Sequence, residues 1–188
     1  MAIARPDAEP RKGLIPLWIK VAYTAFMAVL IPVYWQNYGP GNFLYFCDVA
    51  MFLTLAGVWM ESRLLISMCA VGILAPQALW VADYILNFFG VQLTGMSDYM
   101  FDVSKSRFLR GLSLYHGWLP FLLVFLVARI GYDRRAFAAW TVLAWVLLPV
   151  CYVFLPPPSP EAAGTVVNVN YVYGMSETVP QTWMPPLA

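Results

Sequence analysis

The chain has 188 residues, of which 61% are hydrophobic and only 11% are charged, and its formal net charge is +1. A soluble globular domain is about half apolar and a quarter charged, so this composition predicts a membrane protein. The eleven basic residues are scattered and form no basic patch, which argues against nucleic acid as a partner.

Five apolar runs have the length that a membrane-spanning helix needs. Such a helix takes about 20 mostly apolar residues, whereas an isolated strand would leave its backbone groups unpaired in lipid. We therefore predict an all-α, polytopic bundle of five transmembrane helices, or six if a further segment spans. The runs cover residues 14–34, 43–60, 64–84 (extending towards 89), 114–130 and 136–155.

The sequence divides into three parts. The predicted bundle occupies residues 14–155, preceded by a polar segment at 1–13 and followed by a segment at 156–188 that begins with a proline-rich stretch. Proline cannot continue a helix, so the bundle should end there. Residues 165–175 are too short to span as a helix, and we expect them either tucked into the mouth of the bundle or lying on the interface.

The charges of the loops indicate an orientation. If the five runs alternate, three of the eleven basic residues (Lys105, Arg107 and Arg110) fall on one side and the other eight fall on the side of the N-terminus. Because basic residues are enriched in cytoplasmic loops, we predict a multi-pass protein with a cytoplasmic N-terminus.

Polar residues converge near the outer ends of these predicted helices. An aspartate inside a membrane costs about 2.5–3.5 kcal/mol at mid-depth, so buried carboxylates there require a reason. Either they pair with a neighbour to fix the helix register, or they belong to a site. The residues concerned are Cys47 and Asp48 in the second run, Gln77, Trp80, Asp83 and Asn87 as a stripe in the third, His116 in the fourth, and Asn168, Asn170 and Tyr171 beyond the fifth.

Cys47 and His116, the only histidine, lie at similar depth in their runs. A thiol beside an imidazole can carry out acyl transfer through a covalent intermediate. Two alternatives remain open for Cys47, which are a packing role and a disulfide with Cys151. Metal binding has little support because no spacing typical of metal ligands occurs, and no cofactor motif is present.

Three stretches resemble, in order, the cysteine segment, the H-G segment and the N-Y segment of the YwaF-like integral membrane proteins. They are FLYFCDVAMFL at residues 43–53, SLYHGWLPFLLVF at 113–125 and NVNYVYG at 168–174. That group is related to a eukaryotic phospholipid acyltransferase and, more distantly, to the androgen-induced lipid hydrolases. The resemblance implies a cysteine nucleophile at Cys47 and a histidine base at His116. The hydrolases use a threonine near the first motif, where this chain has Tyr45, so a threonine mechanism is not implied.

The leading hypothesis is a membrane enzyme that transfers or hydrolyses lipid acyl chains. Asp83 or Asp48 would orient the imidazole, and Asn168, Asn170 or nearby backbone N–H groups would stabilise the oxyanion. Trp80 and Tyr171 would help to bind the substrate. The alternatives are a non-catalytic accessory subunit or lipid- or pigment-binding scaffold, and a small-solute transporter. Membrane lipids are the expected partners, together with another membrane protein or a second copy of the chain.

Overall fold

The computed structural model describes residues 13–159, 166–174, 176 and 179–182, and within them it contains helices and no strand. The predicted all-α class is therefore confirmed. The α-helices are α1 (Leu17–Tyr38), α2 (Phe46–Met60), α3 (Arg63–Phe88), α4 (Arg107–Ser113), α5 (Tyr115–Ile130) and α6 (Ala136–Phe154), and short 3₁₀ turns occur at Pro40–Leu44, Asp98–Met100 and Val169–Tyr171.

Four stretches of helix in the described part of the chain are long and apolar enough to cross a membrane. They are α1, α3, the continuous Arg107–Ile130 stretch formed by α4 and α5, and α6. The chain is thus an integral membrane protein by the length and composition of its helices. The second predicted run gives only a 15-residue helix, α2, because Pro40–Leu44 forms a separate 3₁₀ turn before it.

Successive helices run between two ends of the bundle. At the end where α1 begins, Glu61 accepts hydrogen bonds from the backbone N–H groups of Leu14 and Ile15 and forms an ion pair with Lys20 at 2.8 Å. Arg129 at the end of α5 donates to the Leu14 carbonyl oxygen at 3.0 Å. The start of α1, the α2–α3 turn and the end of α5 therefore lie together, as alternation of the runs requires.

Helix α3 is central and packs against α2, α5 and α6. Its contact with α6 depends on Gly72, where an added Cβ would overlap the ring of Trp140. Close approach of helices at small residues is how membrane helices gain packing contacts, since lipid supplies no hydrophobic drive between them. This approach places the second half of α3 beside the polar ends of its neighbours.

The long connection between α3 and α4 is anchored by Asp83. The Asp83 carboxylate is fully buried, and it accepts hydrogen bonds from the N–H groups of Thr94, Gly95 and Ser97 and from the Ser97 hydroxyl, at 2.6–3.1 Å. Four donors compensate a buried negative charge that would otherwise be costly. Asp83 therefore folds the loop back over the bundle.

Candidate functional site

A cavity of about 1110 Å³ opens at the end of the bundle opposite Glu61. Its wall includes many of the polar residues that the sequence singled out, contributed by α2, α3, α5 and the C-terminal segment. Asp83 and Asn168 are not part of the wall. The predicted site residues that line the cavity are Cys47, Asp48, Trp80, His116, Asn170 and Tyr171.

Cys47 lies in the first turn of α2. The helix begins after Tyr45, and the N–H of Phe46 donates to Asn170 Oδ1 at 2.9 Å. No backbone carbonyl oxygen of a described residue accepts from the N–H groups of Cys47 and Asp48. Both N–H groups lie close to the Cys47 sulfur. N–H groups and the helix dipole at a helix start favour negative charge, which an oxyanion requires, whereas the neighbouring Asp48 carboxylate opposes negative charge on the sulfur itself.

Asp48 brings a carboxylate to the same place. It is only 2% exposed, its Oδ2 accepts from Asn42 Nδ2 at 3.3 Å, and the Cys47 sulfur lies 3.9 Å from that oxygen. Among the described residues, its Oδ1 has no hydrogen-bond partner. The Tyr115 side chain is a further polar neighbour of this carboxylate, so its hydroxyl can donate a hydrogen bond to the buried oxygen.

His116 is held by Gln77 and by two aromatic rings. Its Nδ1 lies 2.9 Å from Gln77 Oε1, and its ring stacks against Tyr115 at 4.1 Å and Trp80 at 4.7 Å between centroids. Because a carbonyl oxygen only accepts, Nδ1 carries the proton and Nε2 keeps its lone pair. The imidazole is thereby prepared to act as a base.

The group that orients the imidazole differs from the predicted one. Either Asp83 or Asp48 was expected in this position, but Gln77 occupies it. Asp83 is bonded to the α3–α4 loop, while Asp48 faces Asn42 and Cys47. A neutral amide fixes the tautomer, as an asparagine does in papain-like proteases, without adding a charge beside the ring.

Cys47 and His116 share the cavity without a hydrogen bond between them. The polar neighbours of the Cys47 sulfur are Asp48 and the side chain of Tyr115, whereas His116 bonds to Gln77. Catalytic hydrogen bonds in ligand-free enzymes are often made only when substrate is bound. The arrangement offers a thiol, a base and backbone donors around one space.

The two asparagines of the C-terminal segment have structural roles. Asn168 uses both amide N–H groups on the carbonyl oxygens of Gly174 and Ser176, and Asn170 uses its own on Leu44 O and Cys151 Sγ. Neither side chain retains a donor for an oxyanion. That leaves the N–H groups of Cys47 and Asp48, the other source that the sequence suggested.

The three cysteines are all free thiols, so the structure contains no Cys47–Cys151 disulfide. Cys69 donates to the Ala50 carbonyl oxygen at 3.4 Å in the buried core, and only Cys47 lines the cavity. In the part of the chain that the structure describes, no cluster of three metal-ligating side chains occurs.

Several residues of the cavity wall were not predicted, among them Tyr115, Tyr99 and Lys105. Tyr115 adjoins His116 in the sequence, which was a usable signal. Tyr99 and Lys105 belong to the α3–α4 loop, whose path depends on Asp83. Burial raises the pKa of Tyr99 above its ordinary value, so this residue presents a neutral hydroxyl.

No protein-family model, curated protein or solved structure matches this chain. Its class therefore rests on its own fold and site, which are those of an all-α integral membrane protein with a polar and aromatic cavity at one end of the bundle.

Proposed function

We propose that this protein is a membrane-embedded enzyme that transfers or hydrolyses the acyl chains of lipids, with Cys47 as nucleophile and His116 as base. The observation that carries the proposal is that both residues line one cavity, with Cys47 at the start of a helix and the lone pair of His116 left free by Gln77. Pockets for drug-sized ligands measure about 300–1,000 Å³, so a cavity of about 1110 Å³ has room for part of a lipid.

The proposed reaction has two halves. In the first, His116 Nε2 takes the Cys47 proton, the sulfur attacks the ester carbonyl carbon, and the tetrahedral oxyanion is stabilised by the N–H groups of Cys47 and Asp48. The C–O bond then breaks, and His116 returns the proton to the departing lipid alcohol. In the second half, His116 takes the proton of a lipid hydroxyl or of water as its oxygen attacks the thioester carbonyl carbon. The C–S bond then breaks and the proton returns to the Cys47 sulfur, which gives transfer or hydrolysis respectively and restores the thiol.

Placement of the cavity favours this function over transport. The described residues of its wall extend from one end of the bundle, at the last turns of α1 and the starts of α2 and α5, to Gly72 near the middle of α3. That distribution suits a pocket entered from one interface. A transporter needs a site that opens in turn to both sides.

The proposal is tested with purified protein reconstituted in phospholipid vesicles. Release or transfer of a radiolabelled acyl chain should occur with the wild type, and Cys47→Ser and His116→Ala should each abolish it. Cys69→Ser is the matched control, because this buried thiol lies outside the cavity.

A thiol-labelling measurement accompanies the turnover assay. A long-chain electrophile should label Cys47 faster than Cys69 or Cys151, and His116→Ala should slow this labelling about tenfold or more, as loss of a general base predicts. Equal labelling of the three cysteines irrespective of His116, with no acyl turnover, would return the protein to the scaffold or accessory-subunit alternative.

A further inference from the structure

Among the described residues that line the cavity, Lys105 is the only lysine or arginine. It lies in the loop just before α4 and is partly buried. Its ammonium nitrogen is 5.6 Å from the centroid of the Tyr38 ring and 5.8 Å from that of Tyr99. These rings hold the cation by its electrostatic attraction to their faces, and this leaves its N–H donors available.

No carboxylate forms a direct ion pair with Lys105 within the described part of the chain. The ion pairs found there join Lys20 to Glu61 and Arg135 to Asp133. The carboxylates nearest to Lys105 in sequence have other partners. Asp102 accepts from the N–H of Ser104, and both oxygens of Asp98 accept from the amides of Asn87 and Gln92. Lys105 therefore faces the cavity without a direct ion pair, and the attraction between its charge and that of Asp102 acts over a longer distance.

An aromatic wall connects Lys105 to the proposed base. Tyr99 contacts Lys105 on one side and Trp80 on the other, with 6.5 Å between the ring centroids, and Trp80 stacks on His116 at 4.7 Å. One ligand could thus contact Lys105 with an anionic group while its ester lies near His116 and Cys47. Glycerophospholipids combine these features, since a phosphate and acyl esters share one glycerol.

We propose that Lys105 binds the phosphate of a glycerophospholipid whose acyl ester enters the cavity towards Cys47, an inference that rests on the proposed acyl-lipid function and specifies its substrate class. Basic side chains in pockets between membrane helices bind lipid headgroups in this way. A charge-assisted contact to a phosphate is also about twice as strong as a neutral hydrogen bond.

Equilibrium binding tests the proposal independently of turnover. The Cys47→Ser protein in neutral detergent micelles is titrated with dihexanoyl phosphatidic acid, with dihexanoylglycerol, which lacks the phosphate, and with inorganic phosphate. Four versions are compared: Cys47→Ser alone, and the same chain carrying Lys105→Met, Lys105→Arg or Arg107→Gln. Arg107 is the matched control because it is an exposed cation nearby that does not line the cavity.

We expect phosphatidic acid to bind about tenfold or more tightly than dihexanoylglycerol, the difference that one charged hydrogen bond supplies. Lys105→Met should remove this preference, whereas Lys105→Arg and Arg107→Gln should keep it. Thermal unfolding of each variant is recorded, and the Arg variant keeps the test valid if the Met variant is unstable.

Two results would overturn the proposal: an unchanged preference in Lys105→Met, or inorganic phosphate binding as tightly as phosphatidic acid, which would make this a site for free phosphate. A preference that depends on Lys105 in a protein without acyl turnover would support the lipid site and refute only the acyl-transfer step.

Discussion

Gln77 and His116 form a hydrogen bond of 2.9 Å between Oε1 and Nδ1 that determines which imidazole nitrogen can act as a base. Gln77 is buried and belongs to α3, whereas His116 lies in the first turn of α5. The bond therefore joins two helices and fixes a tautomer at the same time.

Replacing Gln77 should lower catalysis while leaving the bundle folded. Gln77→Leu removes the acceptor for His116 Nδ1. The imidazole can then rotate, or carry its proton on Nε2, which must stay unprotonated to act as the base. We expect acyl turnover to fall about tenfold to a hundredfold, part of the 10²–10⁴-fold that a general base contributes. Gln77→Glu retains an acceptor and should keep more of the activity than Gln77→Leu. Equal turnover in Gln77→Leu and wild type would show that the bond has no catalytic role.

Removing Asp83 should destabilise the loop that carries Tyr99 and Lys105. Asp83→Ala removes the acceptor of three backbone N–H groups and a hydroxyl. The two groups of Ser97 are buried, and each buried unsatisfied group costs about 1–3 kcal/mol. We expect a loss of at least about 3 kcal/mol in the free energy of unfolding, measured in mixed micelles, and faster proteolysis within residues 89–106.

The control for this prediction is Asp98→Ala. Asp98 is exposed and its carboxylate bonds only to side-chain amides, so its removal should cost less than about 1 kcal/mol. If the two variants were equally stable, Asp83 would not be the anchor of the loop.

The depth of the site could be predicted from the sequence, because the length of an apolar run places each residue along the membrane normal. Depth along the membrane normal alone places Cys47 and His116 at one end of the bundle. The rotation of each helix about its axis could not be obtained in this way. Gln77 and Asp83 were treated as one stripe, yet six residues turn a helix through about 600°, which leaves them about 120° apart. Gln77 consequently meets His116, and Asp83 faces the loop.

The same limit explains the short second helix. Hydropathy shows that residues 43–60 are apolar but does not show that Gly39, with φ of 76°, ends α1 and that a 3₁₀ turn follows. That turn places Cys47 in the first turn of α2 rather than inside a longer helix. The proposed role of Cys47 depends on this position, which only the backbone geometry reveals.

Acidification should weaken the opposite end of the bundle through Glu61. Hydrogen bonds from Lys20 and from the N–H groups of Leu14 and Ile15 lower the Glu61 pKa to about 2. A lowered pKa in the folded state stabilises the protein above the unfolded value of about 4.3, and this stabilisation is lost as the pH falls from there towards 2.

Glu61→Gln should therefore reduce the free energy of unfolding by about 1 kcal/mol at neutral pH and flatten its decline between pH 4.5 and about 2. The measurement is equilibrium unfolding in mixed micelles at several pH values. Some decline will persist, because Asp133 also has a pKa of about 2, lowered by Arg135. A variant with the same pH dependence as wild type would contradict the role of Glu61.

The last prediction concerns the orientation of the chain in the membrane, which is inferred from the basic residues of its loops. The α3–α4 loop and the α5–α6 turn lie at opposite ends of the bundle, so single cysteines at Val103 and Arg135 should react on opposite sides of the membrane. Both positions are exposed, with Val103 at 92%.

In a background without Cys47, Cys69 and Cys151, an impermeant maleimide added to intact cells should label Val103→Cys and leave Arg135→Cys unlabelled until the membrane is permeabilised. The reverse pattern would contradict the cytoplasmic N-terminus that the basic residues indicate, and labelling of both from outside would contradict the alternation of the helices.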